Sequence, residues 1–203
     1  MGGESRVVSA RQTASGRMIP EAVPRFSLLT THYSLPTTHY PLPTLAQIPS
    51  GKEVVKPVAY VPREPVSRAS DFQIAVVLKI RNGFHINAHK ASADYLIATN
   101  LITTSPAGFK LGEPSYPKGE LHTFAFSKTP LNVYQDKVIL RLPVTVLPNA
   151  PLGAQHLPLK LRYQACSQEL CLPPVTLDVD AAFTVDANPA NSRPVHPELF
   201  PAH

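Results

Sequence analysis

The two cysteines of the chain are the residues whose type and spacing most clearly allow chemistry. The 203-residue sequence contains only Cys166 and Cys171, with four residues between them in one short loop. A pair this close can form a disulfide within the loop without large backbone movement. At an exposed hairpin tip, such a disulfide can also exchange with the thiols of a partner protein. The pair is therefore the candidate centre for thiol–disulfide exchange.

Two other interpretations of the cysteine pair remain open. As a structural clip, a disulfide that closes a loop of about six residues contributes only about 2 kcal/mol in the chain-entropy model. As half of a metal site, the pair lacks the usual Cys-x2-Cys spacing and a second pair of ligands. The redox and structural interpretations are equally compatible with the spacing, and the metal interpretation is the least supported.

The segments that must position the cysteine loop resemble short strands. From residue 71 onward the sequence alternates or clusters apolar residues over short stretches separated by turn signals, and it has no long helical period. Seven or eight strands in this region are typical of a β-sandwich. We therefore expect an all-β fold. The predicted strands are 72–80, 84–88, 95–103, 133–134, 138–146, 157–164, 175–179 and 182–185.

Proline content divides the chain. Residues 1–68 are rich in proline and small polar residues, which predicts a disordered leader and linker. The leader contains a tandem seven-residue repeat, 31–37 and 38–44, which could dock as polyproline II but more simply represents a repeat in an unconstrained linker. Residues 69–186 are the predicted domain, and 187–203 are a predicted loose C-terminal tail.

Bulk properties exclude two functional classes. The net charge is +5, most of it in the first 70 residues. The predicted domain shows no run of Lys and Arg, so nucleic-acid binding is not expected. No stretch of about 18 apolar residues is present, so a membrane-spanning segment is not expected either. The first 30 residues also lack the apolar core of a signal peptide.

Three segments of the predicted domain resemble a known family. They are Gly-Phe-His-Ile-Asn-Ala-His-Lys at 83–90, Leu-Asn-Val-Tyr at 131–134, and the stretch from Tyr-Gln-Ala-Cys to Cys-Leu-Pro-Pro-Val-Thr at 163–176. Together they resemble the N-terminal periplasmic domain of the DsbD thiol:disulfide interchange family, also called the disulfide bond corrector domain. The resemblance extends over about residues 71–186. It implies an immunoglobulin-like sandwich.

The resemblance also implies a function. Cys166 and Cys171 would be a redox-active pair that receives electrons from a thioredoxin-like donor or a membrane thiol transporter. The pair would pass them to oxidised extracytoplasmic proteins, in the periplasm, with no cofactor or metal other than the disulfide itself. The alternative is a non-enzymatic immunoglobulin-like binding module in which the disulfide is structural.

The resemblance assigns further residues to the site. A cap loop with an aromatic residue covers the cysteines in this family, and the matching stretch is 121–128, with Phe126 as first candidate and Phe124 as second. From the residues alone, both rings could equally belong to a core. His85 and Asn87 occupy positions where other members place aromatics near the cysteines.

Two charged or titratable groups bear on the reactivity of the pair. His85 could be an acid, a base or a hydrogen-bond partner of a cysteine. A strand-face histidine with a structural hydrogen bond is the more frequent situation. Glu169 lies inside the cysteine loop, where its carboxylate should disfavour the thiolate and make the resting pair a slow nucleophile.

Overall fold

Strands form nearly all the regular structure of the protein. The computed structural model describes residues 48–200, which contain fourteen strands, two 3-10 turns (Gly51–Glu53 and Pro189–Asn191) and no α-helix. The strands are β1 (Val55–Tyr60), β2 (Arg63–Glu64), β3 (Val66–Ser67), β4 (Ser70–Ile80), β5 (His85–Asn87), β6 (Asn100–Thr103), β7 (Phe109–Leu111), β8 (Glu120–His122), β9 (Leu131–Tyr134), β10 (Lys137–Val146), β11 (Gly153–Tyr163), β12 (Ala165–Cys166), β13 (Val175–Asp186) and β14 (Arg193–Pro194).

Two sheets face each other and enclose the core. The first sheet has the strand order β1-β4-β10-β7, and the second has the order β3-β13-β11-β6. Buried and exposed residues alternate along β10 and β11, because one face of each strand turns inward. Leu140 and Leu159, both buried, belong to the core cluster between the sheets. The predicted all-β, immunoglobulin-like sandwich is confirmed.

The domain includes segments that the sequence assigned to a linker and a tail. β1 lies within the predicted linker, yet it pairs along its whole length with β4 at the edge of the first sheet. Pro57 is tolerated there because an edge strand can leave one side of its backbone unpaired. β14 lies within the predicted tail and pairs with β2. Residues 1–47, including the tandem repeat, lie outside the described residues.

The C-terminal segment also covers part of the first sheet. Leu199 is buried against Ala75 and Val77 on the outer face of β4. The guanidinium of Arg141 lies 5.1 Å from the ring centre of Phe200. Both faces of the middle of β4 are therefore buried, which explains its continuous apolar sequence from Ile74 to Leu78.

A third, smaller sheet lies beside the sandwich, with the strand order β12-β5-β9-β8. It contains three residues that the sequence predicted for the site: His85 and Asn87 on β5, and Cys166 on β12. β12 follows directly on β11, one of the long strands of the sandwich. At the junction the hydroxyl of Tyr163, which is fully buried, donates a hydrogen bond to the carbonyl of Gly51 (2.6 Å). The base of the cysteine hairpin is therefore anchored in the core.

Candidate functional site

The cysteines form a disulfide across a tight hairpin. Cys166 and Cys171 lie directly opposite each other as an antiparallel bridge, and the disulfide joins them. Backbone hydrogen bonds flank the bridge on both sides: the amide of Leu172 donates to Ala165 (2.8 Å) and that of Ser167 donates to Leu170 (2.8 Å). The two cysteines therefore occupy a non-hydrogen-bonded position of the ladder, where side chains approach most closely.

The tip of this hairpin is held by a serine. The hydroxyl of Ser167 accepts hydrogen bonds from the amides of Glu169 and Leu170, both at 3.2 Å. Such a side-chain turn stabilises a short loop without further packing. Glu169 is exposed at this tip.

The two cysteines differ in exposure. Cys166 is 1% exposed, whereas Cys171 is an exposed residue. The difference arises because Cys166 belongs to β12 inside the third sheet, while Cys171 lies on the outer arm of the hairpin. The hairpin is therefore open to solvent on the side of Cys171 and enclosed on the side of Cys166.

His85 lies beside the buried cysteine. It is the cross-strand neighbour of Cys166 in the β5–β12 pair and is 1% exposed. Its Nε2 is buried and has no hydrogen-bond partner among the described residues. Burial, followed by the charge of nearby His122, lowers the pKa of His85 from 6.5 to about 4. The ring is therefore neutral at neutral pH.

The two phenylalanines of the predicted cap stack toward this histidine. The ring of Phe124 lies 3.9 Å from that of His85, nearly parallel to it, and the ring of Phe126 lies 5.4 Å from that of Phe124. Phe124 is 3% exposed and packs with Leu131 and Val133. Phe126 is 40% exposed, on the loop that connects β8 with β9. The stack joins the cap loop to the strand that borders the disulfide.

Asn87 and Gln164 connect the remaining segments of the site. Asn87 is fully buried, and its amide nitrogen donates to the carbonyl of Ile97 (3.1 Å) and to the Oε1 of Gln164 (3.4 Å). The same Oε1 accepts from the amide of Ile97 (3.3 Å), and the Nε2 of Gln164 donates to the carbonyl of Leu172 (3.3 Å). Gln164 therefore fixes the residue that follows Cys171 to the loop before β6.

Sequence reasoning assigned no role to Gln164. The Tyr-Gln-Ala-Cys motif could have indicated it, since an amide next to a hairpin can bond backbone groups of both arms. Exposed apolar side chains in the neighbouring segments were also missed: Tyr95 (77% exposed), Leu121 (71%) and Leu170 (37%). Tyr95 lies before β6, Leu121 on β8 at the start of the predicted cap stretch, and Leu170 in the cysteine hairpin, so each of these segments carries an exposed apolar residue.

The structure offers no support for a metal centre. Residues 48–200 contain no group of three or more His, Cys, Asp or Glu side chains that could hold a metal ion. His89 stacks on Tyr116 at 3.7 Å, and its Nδ1 is 3.1 Å from the carbonyl of Thr99. His85 instead stacks on Phe124, so the two histidines have separate environments.

The chain matches one family model over most of the described region. The family is described as thiol:disulfide interchange protein DsbD, N-terminal, and the match covers residues 52–182. The chain belongs to this family. The start of the match at residue 52 agrees with the presence of β1 to β3 in the domain and is earlier than the predicted boundary at residue 69.

Two solved structures are similar in fold. A chain in the complex between the DsbD N-terminal and PilB N-terminal domains from Neisseria meningitidis is 20% identical, with a TM-score of 0.42; 66% of the present chain and 87% of that chain are covered. The N-terminal periplasmic domain of ScsB from Proteus mirabilis is 12% identical, with a TM-score of 0.41; coverage is 70% and 49%. No curated protein matches the chain. Among the described residues, no helix is long and apolar enough to cross a bilayer.

Proposed function

We propose that the protein is an extracytoplasmic electron-relay domain that exchanges its Cys166–Cys171 disulfide with dithiol partners. Membership of a thiol:disulfide interchange family supports this function, and the observation that carries it is the asymmetry of the pair, with Cys171 exposed and Cys166 buried. The donor is a thioredoxin-like protein or a membrane thiol transporter, and the acceptors are oxidised periplasmic proteins. No cofactor takes part, because exchange requires only sulfur atoms.

The exchange begins at the exposed cysteine. A thiolate of the donor attacks the Sγ of Cys171, the S–S bond breaks, and Cys166 leaves and takes a proton from solvent. The second thiolate of the donor then attacks the donor sulfur of the mixed disulfide and releases Cys171. The donor dithiol is thereby oxidised to a disulfide, and the pair becomes two thiols. The same steps in reverse reduce an acceptor disulfide.

The surroundings of Cys166 favour its protonated form after reduction. The cysteine is buried, and its neighbour His85 is neutral at neutral pH, so this histidine supplies no positive charge that would stabilise a thiolate. Cys171 is then the nucleophile toward an acceptor. Phe126 and Phe124 act in this proposal as the cap, which limits the access of stray oxidants until a partner displaces the loop. His85 and Asn87 hold the strand beneath it.

Single-cysteine variants test the proposed order of attack. Cys166→Ser retains the exposed Cys171 and should form a mixed disulfide with an oxidised thioredoxin-like protein. Cys171→Ser retains only the buried Cys166 and should form little of it. Both variants lack the disulfide to the same extent, so each controls for the fold of the other. Equal yields of mixed disulfide would contradict the assignment of Cys171.

The binding-module alternative is favoured by one observation: the hairpin is closed by backbone hydrogen bonds as well as by the disulfide, as a stable clip would be. Equilibration of the native protein with thioredoxin buffers separates the two functions. A relay domain should reach a redox equilibrium with the buffer while remaining folded. A disulfide that is reduced only after unfolding would establish the structural role.

A further inference from the structure

Three lysines lie side by side across the first sheet. Lys79 on β4 is directly opposite Lys56 on β1, and it is also directly opposite Lys137 on β10. All three are exposed. Opposed residues of antiparallel strands project from the same face with their Cβ atoms about 5 Å apart, and like charges in such positions are destabilising. The sequence does not reveal this cluster, because strand pairing brings together residues that are far apart in the chain.

Two further cations extend the lysine row. Lys52 and Arg81 line a cleft of about 660 Å³ together with Lys56 and Lys79. The ion pairs formed within residues 48–200 involve none of these five cations. Glu53 is the carboxylate that lines the cleft, and its Oε2 accepts a hydrogen bond from the amide of Ser50 (2.7 Å). The positive charge of this surface is therefore incompletely balanced by the described part of the protein.

Exposed aliphatic side chains flank these cations. Val58, 43% exposed, follows Lys56 on the same face of β1. Ile48, 64% exposed, lies by Arg81 and Glu53. A surface that combines basic residues with exposed aliphatic side chains has the composition that adsorbs to a bilayer of anionic lipids, where cations meet phosphate groups and aliphatic side chains enter the interface.

We propose that this basic face (Lys52, Lys56, Lys79, Arg81 and Lys137) binds the phosphate-bearing headgroups of an anionic lipid surface. The proposal is independent of the exchange reaction, because none of these residues belongs to the cysteine site. The complementary charge of the bilayer would replace the missing counter-charges of the lysine row. Binding would place the lysine-bearing end of the outer face of the first sheet, which lies beyond the part that Leu199 covers, against the membrane.

Vesicle sedimentation of the full chain tests the proposal. The protein should sediment with vesicles of phosphatidylglycerol and phosphatidylcholine, and not with vesicles of phosphatidylcholine alone. The triple variant Lys56→Gln, Lys79→Gln, Lys137→Gln should partition roughly 100-fold less strongly, given the usual contribution of each lysine near an anionic surface. The matched control Lys90→Gln, Lys110→Gln, Lys118→Gln has the same net charge and should retain most of the binding.

Further measurements check that the variant is folded and that the ligand is a lipid surface. Because the substitutions remove repulsion between opposed lysines, the thermal midpoint of the triple variant should be equal to or higher than that of the parent protein. Absence of binding to the anionic vesicles, or an equal loss in the control variant, would overturn the proposal. Binding of pyrophosphate without binding of vesicles would also overturn it in favour of a compact phosphate site. Binding of an acidic protein to this face, without binding of the vesicles, would overturn the proposal as well.

Discussion

The main sandwich and the third sheet differ in the polarity of their buried residues. Between the two large sheets, the inward positions of β10 and β11 are apolar. In the third sheet, β5 has three buried residues, of which His85 and Asn87 are polar. The Nε2 of His85 and the Oδ1 of Asn87 are the buried side-chain atoms without a partner in residues 48–200.

The difference indicates where stability originates. An unsatisfied buried polar group costs about 1–3 kcal/mol. Two such groups on one three-residue strand can persist only because the burial of apolar residues in the sandwich offsets their free-energy cost. The strand that carries them borders the disulfide, so the site retains polar groups that are unfavourable for folding, which is a pattern seen at functional sites.

Removal of the N-terminal strands should destabilise the protein more than any change in the third sheet. Deletion of residues 1–65 removes β1 and β2, and with β1 it exposes the edge of β4 from Ala75 to Ile80. We expect this variant not to fold. Deletion of residues 1–45 leaves the compact unit that begins at Ala46 and should be tolerated. Circular dichroism and thermal unfolding measure both. A folded first variant would show that β1 is dispensable.

The stability of the protein at acidic pH should depend on His85. Its pKa in the folded protein is lowered to about 4, so the unfolded chain binds more protons between about pH 4 and pH 6.5. The free energy of unfolding should therefore fall as the pH is lowered through this window, by on the order of 2–3 kcal/mol from this residue. His85→Phe keeps a ring for Phe124 to stack on and should abolish that part of the loss. His156→Gln, at an exposed position, should leave it unchanged.

Reduction of the disulfide should have a moderate effect. The closed loop is short, so its opening should lower the free energy of unfolding by about 2 kcal/mol or less. The fold should remain, because backbone hydrogen bonds flank the cysteines on both sides. Urea unfolding of the oxidised and reduced protein measures the difference. Loss of tertiary structure on reduction would instead show that the third sheet depends on the disulfide.

Substitution of the exposed cap residue should have the smallest effect on stability, and substitution of its buried neighbour a clearly larger one. Phe126 is 40% exposed, so Phe126→Ala should change the free energy of unfolding by less than about 1 kcal/mol. It should nevertheless speed the alkylation of reduced Cys171 several-fold. Phe124→Ala removes a buried ring and should destabilise the protein by about 3 kcal/mol or more. Equal alkylation rates in the parent protein and Phe126→Ala would remove Phe126 from the cap.

Local pattern was sufficient to predict the long strands and the cysteine hairpin. β4 and β10 carry dense apolar sequence; they begin two residues and one residue earlier than predicted, and they end at the predicted residues. The predicted strands at 175–179 and 182–185 are one strand, β13. The predicted strand at 95–103 is limited to Asn100–Thr103, because the preceding residues form the loop that Gln164 binds.

The other features depend on tertiary packing, which local pattern does not report. The sequence did not predict β1 to β3, because this segment contains Pro57, Pro62 and Pro65 and prolines are compatible with edge strands as well as with linkers. Leu199 gave no signal of burial until the outer face of β4 was known. The burial of Cys166 beside exposed Cys171 follows from the position of β12 in the third sheet, and spacing alone treats the two cysteines as equivalent.

In the proposed exchange, the hydrogen bonds on both sides of the cysteine bridge should limit how long a partner stays attached. These bonds and that of Gln164 to the outer arm do not involve sulfur, so they should also hold Cys166 beside Cys171 when the disulfide is open. The effective concentration of the Cys166 thiol at Cys171 therefore stays far above that of any free thiol, because an oriented intramolecular group avoids the entropy loss of a bimolecular encounter. A covalent complex with a wrong partner should consequently be released by Cys166 within the domain. In the proposed exchange, the protein would thus carry its own means of release from unproductive mixed disulfides.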